Sequence, residues 1–360
     1  MQCRWVQSFI ASSQIIVAAV FTSAVAHAQT PPSVEQPSTP AGAAAPAAEP
    51  PAAPTAEPLA TDTAAPPATA AEAPGAAPAP AKPPPAPPYS LPWQLRPAVV
   101  ANVFRSDTAI ALRKDAATGN MSGTIVPTFL GSYKLTPEIA PFVRLGFVHN
   151  APPGEAESGT SFINPVVGGA YAIKPSKDTR LAFTLAFAIP VGTGGGNEPD
   201  KATAAANAAG VLARSAFDNA MFAVNDFTAL GGVDLAYVDS GFTVQFEATL
   251  FQLFRVRGDE VQKDAKRTNF TSGLHIGYFF VPQLSIGTEA RAQTFLSTPA
   301  AVEADGNLRH TFTLAIGPRF HFKLGESTWI RPGVSVSRGL DKPMTTQNVT
   351  VFQLDIPVAF

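Results

Sequence analysis

Residues 308–324 read LRHTFTLAIGPRFHFKL, and every second side chain is apolar: Leu308, Phe312, Leu314, Ile316, Phe320, Phe322 and Leu324 share one face with His310 and Pro318. The other face holds Arg309, Thr311, Thr313, Ala315, Gly317, Arg319, His321 and Lys323. Period two puts successive side chains on opposite faces of an extended chain, so this stretch is a strand with one apolar side. RLAFTLAFAIPV, residues 180–191, repeats the pattern. From Trp93 onward such segments follow one another, and we expect twelve strands: 95–112, 123–135, 139–149, 161–173, 179–192, 227–238, 242–256, 267–280, 284–296, 308–324, 329–340 and 348–360. The chain is therefore all-β over this region. Alternation alone does not say which face is outside, because a water-soluble barrel and a membrane barrel give the same string.

Loop lengths break that tie. After the even-numbered strands the links are short, around Thr136-Pro137, Pro175 to Asp178, Asp239 to Gly241, Val281 to Gln283 and Gly325 to Thr328. After the odd-numbered strands they are longer. Short turns at one end, long loops at the other and both termini on the short side describe a transmembrane antiparallel up-and-down β-barrel. Tyr133, Tyr171, Tyr237 and Tyr278 each fall near the end of an even-numbered strand, and Phe322 and Phe360 hold the matching places on the last two even strands. This placement predicts an aromatic girdle at one membrane interface.

The N-terminal region has a different character. Arg4, an apolar run from Phe9 to Val25 and a small-residue site at Ala26 and Ala28 predict a secretory leader over residues 1–28, cleaved before Gln29. Cys3, the sole cysteine, lies within it, which removes thiol chemistry and disulfides from the mature chain. Residues 29–88 are dominated by Pro and Ala with almost no large apolar side chain, so they cannot bury enough area to order and should form a linker. A plain linker is the expectation here, and a tether that contacts a cell wall is the alternative. With 25 basic and 27 acidic residues, one of the basic ones in the leader, the charge balance gives no case for nucleic acid.

The last ten residues, VFQLDIPVAF, resemble the terminal strand of Gram-negative outer-membrane β-barrel proteins, which typically end in an aromatic residue preceded by apolar residues at alternate positions. The resemblance implies that residues 89–360 form a barrel in the outer membrane. It also implies that Phe352, Leu354, Ile356, Val358 and Phe360 are read by the barrel-assembly machinery, with the N-terminal arm in the periplasm. Pro357 departs from an ideal inner strand because it lacks a backbone donor.

Function is then expected on the inward face. The strand phases place Arg144, Arg180, Glu247, His275, Glu289, Arg291, Arg309, Arg319, His321, Lys323, Arg331 and Asp355 there, with Asp234 and Gln245. Excess basic charge in a narrow lumen favours small anionic or polar solutes. An internal ion-pair network that pins the wall accounts for the same residues and would make this a non-conducting structural or surface-interaction barrel, and both readings stay open. Residues 193–226 form the longest connection, Gly-rich at first and then Ala-rich with helical spacing of Leu212, Phe217, Met221 and Val224. We expect a helical loop, starting near Asn197 to Pro199, folded inward or across the mouth. No cofactor or metal ligand set is discernible, and Asp259, Glu260 and Asp264 are interleaved with lysines. A hydrolase is the competing class, but neither His149 nor His310 has a nucleophile at a defensible spacing.

Overall fold

The computed structural model describes residues 89–114, 119–258, 264–342 and 344–360. The leader and linker expected over residues 1–88 lie outside the described residues, as do Asp259 and Glu260.

Among the described residues fifteen antiparallel strands join into one sheet that closes on itself. They are β1 (Val103–Lys114), β2 (Met121–Ser132), β3 (Ile139–Ala151), β4 (Gly159–Phe162), β5 (Val166–Ile173), β6 (Thr179–Ala188), β7 (Asp226–Asp239), β8 (Phe242–Arg255), β9 (Lys266–Val281), β10 (Leu284–Phe295), β11 (His310–Phe320), β12 (Phe322–Leu324), β13 (Thr328–Ile330), β14 (Gly333–Gly339) and β15 (Thr350–Ala359). Three pairs of consecutive strands, β4 with β5, β11 with β12 and β13 with β14, are halves of interrupted staves. The barrel therefore has twelve staves. The seam is a ten-residue ladder from Val103 opposite Ala359 to Leu112 opposite Thr350, and Pro357 sits in it opposite Arg105. The seam joins the two ends of the main ladder, so its long strands satisfy one another's backbone groups, while β4 pairs only with β3 and β12 only with β13.

Most of the large apolar side chains on the staves turn outward. On β6, Phe183 and Leu185 are 47% and 60% exposed, whereas Ala182 and Thr184, which alternate with them, are buried inside. The outward faces of β8, β11 and β15 continue the belt with Phe246, Leu250, Ile316, Phe352 and Leu354. A continuous apolar exterior around a polar interior is the reverse of a water-soluble barrel and suits hydrocarbon. Tyr133, Tyr171, Tyr237, Tyr278, Phe322 and Phe360 are exposed at the short-turn end, where Phe242 and Tyr278 pack with ring centres 4.6 Å apart. One two-residue turn, Ser240-Gly241 between β7 and β8, has positive φ at both residues, a geometry that suits a tight hairpin.

The sequence reading departs from the structure at the first strand. We expected it over 95–112, but the wall begins at Val103, and residues 89–102 run irregularly with Trp93, Leu95 and Ala98 buried. Pro92 and Pro97 lie within this stretch and each removes a ladder donor from it, which explains the difference.

The long connection between β6 and β7 contains α1 (Lys201–Ala213) and the short α2 (Asn219–Phe222). Asp200 caps α1, its carboxylate accepting from the Thr203 N–H at 2.7 Å, so the helix starts just after Pro199. Ala206, Ala209, Gly210 and Ala213 are buried on α1, and Ala206 and Ala213 share a core with Ala109, Val126, Val148 and Val351 of the wall. These wall residues face inward. The helix therefore occupies the long-loop half of the barrel, where small inward side chains leave it room.

Candidate functional site: the occupied lumen

Among the described residues the interior holds two chain segments, with a cavity between them. The first segment, residues 89–102, is held from the wall by carboxylates that accept its backbone N–H groups. Glu289 on β10 accepts from the amides of Trp93 (2.7 Å) and Gln94 (2.9 Å), and Glu247 on β8 accepts from that of Arg96 at 2.6 Å. The Arg96 guanidinium returns to the wall, 2.8 Å from Glu247 and 3.5 Å from Asp234. The Trp93 ring lies under the guanidinium of Arg319, whose carbon is 4.4 Å from the ring centre. Gln353 donates to the Trp93 carbonyl at 3.1 Å, and Tyr89 donates its hydroxyl proton to Gln245. Wall glycines make the space: a methyl added to Gly333 would stand 2.7 Å from the Trp93 ring, and one on Gly273 would stand 2.6 Å from Leu95.

The second segment is the helical loop. At its turn after α1, Ser215 and Ala216 both take positive φ, a conformation uncommon for non-glycine residues. The turn is fixed by charge. Arg214, fully buried, reaches Asp107 on β1 at 2.8 Å and Asp218 at 2.9 Å, and Arg144 on β3 meets Asp218 from the other side at 2.7 Å. Burial raises the pKa of the Asp218 carboxyl, but Arg144 and Arg214 more than offset that and hold it well below the ordinary carboxylate range.

A third group ties the seam. Asp355 accepts from Arg105 at 2.7 Å and from Arg319 at 2.6 Å, while Glu289 also accepts from Arg291 at 2.5 Å. His275 lies buried 3.3 Å from the Ser90 hydroxyl, and His321 lies 2.9 Å from that of Ser285. Thus Arg144, Arg180, Glu247, His275, Glu289, Arg291, Arg319, His321 and Asp355 turn inside the wall, and Arg331 lines the cavity described next.

Two predicted lumen residues are elsewhere. Lys323 is exposed on β12, a three-residue ladder with β13 that projects beyond the break at His321. Arg309 sits in a 3-10 turn ahead of β11 and donates to the Phe295 and Ser297 carbonyls, bracing the loop after β10. In both cases the strand phase was extended past the end of regular pairing.

Sequence reading missed Trp93, Arg96, Arg105, Asp107, Arg214 and Asp218. Arg105 and Asp107 alternate on the inward face of β1 and were within reach of the pattern. The two prolines around Trp93 were the available signal for the rest of the first segment. His149 and His310 each hydrogen bond a threonine on the neighbouring strand, at 2.8 Å to Thr160 and 3.0 Å to Thr294.

Between the two segments a cavity of about 410 Å³ remains, lined by Tyr89, Arg96, Arg105, Arg144, Arg180 and Arg331 together with Phe142, Val166, Phe217, Met221, Leu230 and Phe251. It follows the wall from β1 to β8 and reaches the short-turn end at Ser132, Lys174 and Ala359.

No protein-family model matches the sequence, and comparison with characterised proteins gives no match. Among solved structures the chain is similar to the NanC porin (9% identity, TM-score 0.41), with 71% of this chain and 98% of that one covered. It is similar to the KdgM porin at 9% identity and a TM-score of 0.38, over 71% and 99% of the two chains. The β domain of the Bordetella autotransporter BrkA gives 12% identity and a TM-score of 0.38, over 72% and 100%.

Proposed function

We propose that the protein is an outer-membrane barrel that passes small polar or anionic solutes and that this structure is its closed state. The carrying observation is the nature of the obstruction. What fills the lumen is a helix and an irregular segment, both tethered, not interlocked side chains of the wall. An α-helix with its side chains needs roughly 10 Å of clear width. A wall that encloses one, along with residues 89–102 and a residual cavity, is wide enough to conduct once either is displaced. The arginines along that cavity would raise the local anion concentration. The terminal residues Phe352 to Phe360 would serve assembly in the Gram-negative outer membrane.

A non-conducting structural barrel is the second reading, and the pairing of Arg96, Arg105, Arg144, Arg214, Arg291 and Arg319 with buried carboxylates favours it. Single-channel recording of the whole chain in planar bilayers separates the two. Brief anion-favouring steps are expected, becoming larger and longer when residues 200–222 are replaced by a short Gly-Ser link. Silence from both folded proteins would reject the pathway and leave the structural barrel.

A further inference from the structure

The cavity changes character along its length. Toward the short-turn end its wall carries Lys174, just after β5, Arg180, the second residue of β6, and Arg331, between β13 and β14. Toward the long-loop end it is bounded by Val166, Leu230 and Phe251, under a roof of Phe217 and Met221 from the helical loop.

The cations at the mouth differ from those deeper in. Arg96, Arg105 and Arg144 each lie within ion-pair distance of a wall or loop carboxylate. Among the described residues no carboxylate lies within 4.0 Å of Lys174, Arg180 or Arg331. Arg180 is only 6% exposed, and its guanidinium donates to the Lys177 and Thr179 carbonyls at 2.9 and 3.1 Å. A guanidinium buried without a counter-charge is unfavourable, and an incoming anion would complete it. Asp218 and Glu247 also line the cavity, but each is already engaged by arginine, so they do not repel an anion strongly.

A small hydrated anion would satisfy the mouth and leave water against the apolar end. A single-chain amphipathic anion satisfies both. We propose that this cavity binds an acyl carboxylate, its carboxylate at Arg180 and its chain directed across Leu230 and Phe251, cross-strand partners on β7 and β8, toward the helical loop. The volume of about 410 Å³ falls in the range of small-molecule sites. This deepens the proposed function by naming a ligand class, and it rests on that reading for its setting in the membrane; the binding itself does not require conduction.

The test uses the whole chain in detergent at neutral pH and a dodecanoate carrying a diazirine at its far end, with the photolabelled residues mapped by mass spectrometry. Labelling is expected at Phe217 to Met221 or beside Leu230 and Phe251. Unlabelled carboxylates from octanoate to dodecanoate should compete, with affinity rising about fourfold per methylene. Inorganic phosphate, butyrate and dodecyltrimethylammonium should not. Arg180→Gln should lower labelling at least fivefold, and Leu230→Trp should abolish it. Both variants should keep the heat-shifted electrophoretic mobility of the folded barrel. Labelling confined to outward-facing residues, or undiminished in both Arg180→Gln and Leu230→Trp, would overturn the site. Competition by phosphate as strong as by dodecanoate would overturn the acyl ligand while leaving an anion pathway intact. Silence in the conductance experiment with site-specific labelling here would reject the open pathway and retain the binding site.

Discussion

Asp218 concentrates the problem of how the helical loop stays inside. Its carboxylate lies between Arg144 of the wall and Arg214 of the loop, and Arg214 continues to Asp107. Removing one partner of such a buried set leaves charge uncompensated and costs about 3–5 kcal/mol. Asp218→Asn should therefore release the loop, seen as longer and larger conductance steps and as faster proteolysis within residues 200–222. The pH dependence has a definite sign. Asp218 is depressed when docked, so its contribution to docking is complete above the undocked carboxylate value of about 4 and is lost as pH falls from there through the docked value. Opening of the unaltered protein should rise below about pH 4, and Asp218→Asn should lack that acid limb; identical acid limbs in the two would assign loop release to another group. Alternation placed Arg144 correctly on its strand phase, but the partner is 74 residues away in a connection with no period. Nothing in strand periodicity records which loop side chain will reach an inward arginine.

At the scale of elements, the N-terminal segment is the clearest lesson. Val103 onward pairs with both β2 and β15, so the wall is complete without residues 89–98. Those residues instead satisfy inward carboxylates and cover Gly273 and Gly333. Deleting residues 89–98 should leave β-sheet content and heat-shifted mobility unchanged while increasing conductance severalfold, since the short-turn half of the lumen loses its largest occupant. Unchanged conductance would mean that the helical loop alone closes the path. Twelve staves, their order and the difference between short and long connections were readable because period two and turn residues are local signals. The inserted segment was not, because apolar residues before the first strand resemble the strand itself. Pro92 and Pro97 were the local contradiction. In the same way, Lys323 and Arg309 were carried inward by a phase that had already ended at the stave limits.

For the molecule as a whole, the orientation of the two faces decides its solvent. If hydrocarbon surrounds the wall, an outward charge near mid-stave must be expensive and an inward polar change at the next residue need not be. Leu185 and Thr184 offer that comparison: they are neighbours within β6, one 60% exposed and the other buried inside. Leu185 lies opposite Gly169 on one side and Gly231 on the other, so a longer side chain meets little resistance from its cross-strand neighbours. Leu185→Arg should destabilise the folded barrel in lipid vesicles by about 2–4 kcal/mol. Thr184→Ser, which keeps the inward hydroxyl, should change stability by well under half of that. Reversible denaturant unfolding in vesicles measures both. In water the surface change would be expected within about 0.5 kcal/mol, so an unaffected Leu185→Arg protein would remove the membrane setting on which the closed-pathway reading depends. A penalty confined to the outward position would instead fix the exterior as lipid-facing. The two inserted segments would then have to be displaced within a wall that stays closed, because its β1–β15 seam joins the two ends of the main ladder.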